Sequence, residues 1–319
     1  MKEPTAKRPL YSKFERKNFL FCYIIILLPC IHFSVFWVYK HLSSILLAFQ
    51  DRHGNFTLEN FEMVWAGFTS QDKFGHNLWE ALSKSVIIWS MGVFITFPIS
   101  IITTYVLACK IRGHSVLRIC YIIPGLIGTI IWTLLVKYMM QYNGPVMALI
   151  KLLGVELPRN ATRNGLLAAE ETAFPSLLLW TFFLSIVGNN AVLTGAFSRV
   201  PDELFESAQL DGAGYWKTCF FVAIPCIWST ITMQYIFMLT GIFISDLNCF
   251  LYSNGTGEPG LTTMGFQLFY LTYEIAESGG TTADYGYPSA LGFVLTCFTL
   301  PVVLIGRWIL EKIQDNVEV

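Results

Sequence analysis

Apolar and polar positions fall in long blocks along this chain. Six apolar runs stand out, near Phe19–Val38, Val86–Ala108, Ile119–Met139, Leu177–Ala196, Val222–Phe243 and Leu291–Ile309. Each is long enough to cross a hydrocarbon core of about 30 Å, which takes about 20 helical residues. Lipid offers the backbone no hydrogen-bond partner, so only helices or closed barrels cross it. The runs lack the two-residue alternation of barrel strands. The pattern predicts an all-α polytopic protein with six transmembrane helices.

Between the runs lie unequal polar segments. On one side, 40–85 is mixed and Trp-containing, and 140–176 holds MALIKLLGVEL, whose apolar spacing fits a short interfacial or re-entrant helix. The third segment of that side, 245–289, is rich in Gly, Thr and Tyr. On the other side are the short basic link 109–118 and a longer polar island, 198–221. The chain thus divides into a tail (1–18), a transmembrane domain (19–310) and a second tail (311–319).

Composition agrees with a lipid setting. Of 319 residues, 54% are hydrophobic and only 13% charged, against about 25% charged in soluble domains. Net charge is −1 and gives no reason to expect a nucleic-acid partner. The placement of charge says more than its sum. With the N-terminus inside, 13 Lys and Arg lie on the inner side and 8 on the outer, and 245–289 has none. The positive-inside rule then puts both termini in the cytoplasm. The first run is too long for a signal-peptide core and is read as retained.

Candidate chemistry is sparse. No GxxxxGK[ST], HExxH or GxSxG motif occurs, so neither catalytic residues nor a metal site is expected. Seven of the eight cysteines sit in or beside apolar runs without metal-ligand spacing and read as packing residues. His32 reads as a buried, hydrogen-bonded histidine, and Lys137 as reaching for the interface. The interior polar residues are Thr96, Ser100, Thr103, Thr104, Asn189, Asn190, Gln234, Thr240 and Asp246. They fit interhelical hydrogen bonding, or a neutral pathway for a hydroxyl-rich solute in which Asn189, Asn190 and Gln234 are the candidate lining. No span carries the row of acids or arginines that an ion-coupled transporter or voltage sensor needs.

The polar island is the most specific feature. Pro201 begins a predicted helix, and Asp202, Glu203 and Glu206 sit where a helix N-terminus favours acids. Asp211-Gly212 ends that helix, and Tyr215 opens the next. Glu206, Ala208, Gly212 and Pro225 match in spacing the EAA loop of binding-protein-dependent ABC importer permeases; Ser207, Val222 and Ile224 replace an Ala, the Ile and the Leu. Arg-Val-Pro-Asp-Glu-Leu204, Leu58-Glu-Asn-Phe61, Tyr121-Ile-Ile-Pro124, Asn143-Gly-Pro145 and Tyr285-Gly-Tyr-Pro-Ser-Ala290 resemble the maltose-permease-like sugar branch. The loop after the fifth span, Asn254 to Gly260, departs from that branch's Gly-Gly-Gly-Pro.

The resemblance implies a type I ABC importer permease fold in a bacterial cell membrane, without enzymatic activity of its own. It implies a second homologous permease as heterodimer partner, two ATPase subunits that bind ATP and Mg, and an extracytoplasmic binding protein delivering a sugar or oligosaccharide. Glu206, Ala208, Leu210, Asp211, Gly212 and Trp216 would then couple the chain to the ATPase. Glu206 would anchor electrostatically, Ala208 and Gly212 would permit close approach, and Leu204, Leu210 and Trp216 would seat by apolar contact. A permease of this family for a non-sugar solute is the main alternative, and an ion-coupled secondary transporter a weaker one.

Overall fold

A computed structural model describes residues 13–51, 53–69, 77–109, 113–188, 190–245, 247, 249–252 and 261–317, excluding the side chains of 13–20, 187, 188, 190 and 314–317. Asn189, Asp246 and the 254–260 loop lie outside these residues. The described chain is helical apart from turns and one isolated bridge, Gln50 with Phe56.

Four continuous helices are long and apolar enough to cross a membrane: α1 (Phe21–Ala48), α3 (Leu78–Ala108), α7 (Glu170–Phe197) and α13 (Thr282–Ile313). Two further apolar runs form bent pairs: α4 (His114–Leu126) and α5 (Thr129–Met139) meet at 95°, and α9 (Tyr215–Cys226) and α10 (Trp228–Thr240) meet at 75°. The six apolar runs thus give four continuous candidate spans, and six where each bent pair is counted as one broken span. The first break follows Pro124, where Ile127 and Gly128 take extended backbone. A carbonyl freed by such a break needs a new partner in lipid; the Trp132 indole supplies one, donating to the Pro124 carbonyl at 2.9 Å. The second follows Pro225, with Ile227 out of helical geometry.

Two widened π turns, Gly92–Thr96 and Cys219–Ala223, each end two residues before a proline, Pro98 and Pro225. A proline ring clashes with the carbonyl four residues back, and widening the turn relieves that clash.

The helices also run further than the apolar runs. α1 continues through Lys40 and His41 to Ala48, and α3 starts at Leu78, where the Asn77 side chain accepts from the amides of Trp79 and Glu80. Hydrophobicity marks where a helix lies in lipid; the hydrogen-bond ladder continues past it. Thus 40–85 is largely helical: α2 (Glu59–Thr69) folds back onto the end of α1. Buried Asn60 fixes that return, donating to the carbonyls of Ala48 (3.1 Å) and Gln50 (2.9 Å). A Cβ on Gly286 would sit 2.8 Å from the Asn60 Nδ2. The motifs around Asn60 and Gly286 are therefore one tertiary contact. Leucine at position 60 is expected to cost about 2 kcal/mol through lost hydrogen bonds in a buried site. Chemical denaturation in detergent checks this, and an unchanged midpoint would contradict it.

The same end of the molecule carries α6 (Pro145–Leu152), α11 (Cys249–Tyr252) and α12 (Met264–Glu277). Buried Ser85 accepts from the Met264 amide at 2.8 Å. In α6 Met147 is buried while Leu149 and Leu152 are exposed, so one flank is inserted and the other is free. Lys137 is half-buried and donates to the Leu251 carbonyl at 3.1 Å, occupying an acceptor that a four-residue helix cannot satisfy itself. Outside the spans, Asp51 accepts from the Asn55 and His53 amides, and the Asn55 bond above all holds its carboxyl below the ordinary range.

Two expectations are corrected. His32 is not buried: residues 21–42 are all exposed in this chain, and its ring lies 4.8 Å from Phe36 on the same open helix. Of the eight cysteines, all free, only Cys219 and Cys249 are buried and Cys109 is half-buried; Cys22, Cys30, Cys120, Cys226 and Cys297 face outward. An apolar run accommodates a thiol on its outer face as readily as on its inner one, so sequence alone does not separate the two.

Candidate functional site

The end opposite α2, α6, α11 and α12 holds α8 (Asp202–Leu210), a nine-residue helix between α7 and α9. Its N-cap is Pro201 and its first turn carries Asp202 and Glu203. Its C-terminus closes by a Schellman motif: the Ala213 amide donates to the Ala208 carbonyl (2.9 Å) and the Gly212 amide to the Gln209 carbonyl (3.0 Å). That closure requires a left-handed residue, and Gly212 has φ +74°. A Cβ there would meet nothing within 4 Å inside the chain, so conformation rather than crowding accounts for the glycine here.

Attachment to the membrane helices is well defined. Ala208 and Thr218 are buried, and Phe205 packs against a buried cluster that includes Phe197, Val200 and Cys219. Tyr105, buried near the end of α3, donates its hydroxyl to the Tyr215 carbonyl at 3.1 Å. The Tyr105 ring lies 5.1 Å from Tyr215 and 5.9 Å from Phe197, tying three spans together. A cavity of about 410 Å³ lies beneath α8, lined by Tyr105, Cys109, Phe205, Gln209 and Tyr215 among others. The helix is thus tied to the spans on the flank that carries Ala208 and Phe205, and an open cleft runs beside it.

Its outer face is the reverse. Glu206, Asp211 and Gly212 are exposed, and so are Leu204, Leu210 (89%) and Trp216 (54%). Trp216 stacks on Phe220, which with Phe221 extends the apolar surface. A leucine this open at the tip of a rigid hairpin is costly in water, and exposed apolar patches rimmed by charge mark contact sites. Of the six residues singled out from the island, five are exposed on this face. Ala208 instead packs inward, so its small size serves closeness to this chain's own helices.

The interior polar residues divide differently. The Ser100 hydroxyl donates to the Ile186 carbonyl (3.2 Å), and the Tyr121 hydroxyl reaches the same carbonyl (2.9 Å) and Thr103 (2.9 Å). Thr104 returns to the Ser100 carbonyl at 2.7 Å. These residues join α3, α4 and α7 and act in packing. The Thr96 hydroxyl is buried with no hydrogen-bond partner among the described residues. Gln234 is half-buried on α10, Asn190 begins the last turns of α7 with its side chain undescribed, and Asn189 lies outside the described residues. Tyr105 was not singled out from sequence; it acts on a carbonyl from a distant segment, for which no local pattern exists. Asn60 was marked only as part of the Leu58-Glu-Asn-Phe61 motif, and its hold on the Ala48 and Gln50 carbonyls was not foreseen.

No model of a known protein family matches the chain. It is similar to the diacetylchitobiose uptake system permease NgcF of Streptomyces coelicolor, 29% identical over 202 residues, which cover 60% of this chain and 52% of that protein. It is also similar to the maltose/maltodextrin transport system permease MalF of Escherichia coli K12, 27% identical over 70% of this chain and 43% of that protein. The chain therefore spans about half the length of these two relatives. Among solved structures, a chain of a bacterial alginate ABC transporter in complex with an alginate pentasaccharide-bound periplasmic protein superposes with a TM-score of 0.72. That match is 19% identical and covers 96% of this chain and 99% of the other, so the two share a fold.

Proposed function

We infer that this chain is the permease subunit of an ATP-driven, binding-protein-dependent importer for a sugar or oligosaccharide, with α8 and the start of α9 as the element a separate ATPase grips. The observation carrying this reading is the α8 hairpin: a rigidly closed turn that displays Leu210, Trp216 and Glu206 outward from between two spans. Three aspects of it fit transmission of force. Its tip is exposed and apolar, its roots are fixed to α3 and α7 through Tyr105 and Phe197, and an open cleft beside it leaves it room to move. Such an element can be pushed as a unit and passes the displacement to the spans at its base. Relatives named for diacetylchitobiose and maltose/maltodextrin uptake, and a structural neighbour named for alginate, support a saccharide cargo.

In this reading the chain sits in a bacterial cell membrane with both termini and α8 in the cytoplasm. It pairs with a second homologous permease, and two ATPase subunits carry ATP and Mg. A binding protein delivers the solute at the opposite end, beside α2, α6 and α12. ATP-driven closure of the ATPases moves α8, and the bundle alternates between inward and outward openings by rigid-body rearrangement. The permease itself makes and breaks no covalent bond.

The experiment is deletion of the gene in its host, followed by uptake of a panel of labelled disaccharides, oligosaccharides and non-sugar solutes. Loss of one saccharide, restored by the wild-type gene, is expected. Intact saccharide uptake with loss of a non-sugar solute would overturn the cargo assignment. If Asn189, Asn190 and Gln234 line the passage, alanine at each should shift selectivity or reduce uptake several-fold, since losing a polar contact costs about 1 kcal/mol. Wild-type selectivity and uptake in all three would assign them to packing.

A further inference from the structure

A second cavity, about 430 Å³, opens beside α8 at the same end of the molecule, between the end of α3, the first turns of α4, the end of α7 and the first turn of α8. Its polar side carries two guanidiniums, Arg118 on α4 and Arg199 just after α7, with His114 and Ser198 beside them. Its other side is apolar, formed by Leu107, Phe197, Val200 and Phe205. Arg118 and Arg199 are exposed and make no ion pair with any described residue. The one carboxylate in the lining, Asp202, has an interaction of its own. Two uncommitted guanidiniums and an imidazole beside a hydrophobic wall describe an amphiphile, anionic at one end and hydrocarbon at the other.

Position names the source. The cleft lies where α4 begins, a helix that leaves Val116, Ile119 and Ile123 exposed. In the orientation inferred above, this end of the apolar run falls at headgroup depth. Basic clefts between spans at the cytoplasmic face suit anionic lipid headgroups, and guanidinium forks match phosphate oxygens in a bidentate manner that a point charge does not.

We propose that this cleft binds one anionic phospholipid of the inner leaflet, its phosphate between Arg118 and Arg199 and the upper part of its acyl chains against the half-exposed Leu107 and Phe205. The proposal rests on the orientation given above for α8. Its consequence is regulatory: the lipid bridges α4, α7 and the first turn of the coupling helix, so headgroup charge adjusts how firmly α8 is seated.

The test uses the full-length chain purified in neutral detergent. Its thermal unfolding is followed while phosphatidylglycerol, phosphatidylcholine or inorganic phosphate is added, and an apparent affinity is taken from each titration. Saturable stabilisation by phosphatidylglycerol is expected, at least ten-fold tighter than by phosphatidylcholine. The R118Q/R199Q double variant, altered only at exposed positions, should lose at least ten-fold of that affinity, and R118K/R199K should lose less. R159Q, at the opposite end, should behave as wild type. Equal response to the two lipids, or undiminished affinity in R118Q/R199Q, would overturn the proposal. Saturation by inorganic phosphate alone would replace the lipid with a free anion and overturn it too. The measurement needs no transport, so its failure is separable from failure of the importer reading, which uptake by Glu206 and Leu210 variants decides.

Discussion

L210R and E206K chains are expected to insert and fold as wild type while uptake and substrate-stimulated ATP hydrolysis fall at least about thirty-fold. That factor corresponds to the ~2 kcal/mol typical of an anchor at the centre of a contact surface. Leu210 supports the size of the effect, because it is almost wholly exposed and touches little of its own chain. Arginine there removes nothing from the fold and places a charge where an apolar pocket should receive the side chain. Glu206 lies one turn back on the same helix and is also exposed, so charge reversal changes what a partner meets and little else. Surface substitutions of this kind normally stay within about 0.5 kcal/mol of wild-type stability. Uptake and ATP hydrolysis in proteoliposomes, with denaturation measured alongside, separate coupling from folding. Near-normal uptake in both variants would remove α8 from the mechanism.

The second large effect belongs to Gly212. Its φ of +74° costs an L-residue about 1–2 kcal/mol, and a β-branched side chain more. G212V should therefore break the bonds from Gly212 and Ala213 to the carbonyls of Gln209 and Ala208, redirect the hairpin, and reduce uptake to background. G212N distinguishes the causes. Asparagine tolerates the left-handed region, and the open space around position 212 accommodates it within this chain. Uptake retained in G212N and lost in G212V assigns the glycine to backbone conformation. Loss in both means a partner needs the space. Wild-type uptake in G212V would show that the closure of α8 plays no part in coupling.

Much of this was legible in the sequence, for reasons that differ by feature. Block hydrophobicity marked the four continuous candidate spans and the two bent pairs because lipid imposes one requirement on every residue facing it. The hairpin at 202–215 was legible because its signals are local: a proline start, acids in the first turn and a glycine at the stop. The bends were not placed in advance, although Pro124, Gly128 and Pro225 were visible, because a proline kinks or is absorbed according to what repairs the freed carbonyl. At Pro124 the repair comes from Trp132. Helix lengths were underestimated at 40–48 and 78–85 because polarity there reports departure from lipid rather than an end of hydrogen bonding. Side-chain facing was least legible: Cys22 and Cys219 read alike, yet one is exposed and the other buried. Contacts such as Asn60 with Gly286, or Tyr105 with Tyr215, join distant segments and leave no periodic trace.

The central claim, that the tip of α8 is gripped by a cytoplasmic ATPase, is tested most directly by placing a photo-crosslinking amino acid at position 210. Position 152, another open leucine on the opposite end, serves as the comparison. Irradiation of membranes of the host should join position 210 to a nucleotide-binding subunit identified by mass spectrometry, with a yield that changes on adding ATP, and should join position 152 to no such subunit. A position 210 that crosslinks only to lipid, or that an impermeant reagent reaches from outside intact cells, would contradict the account.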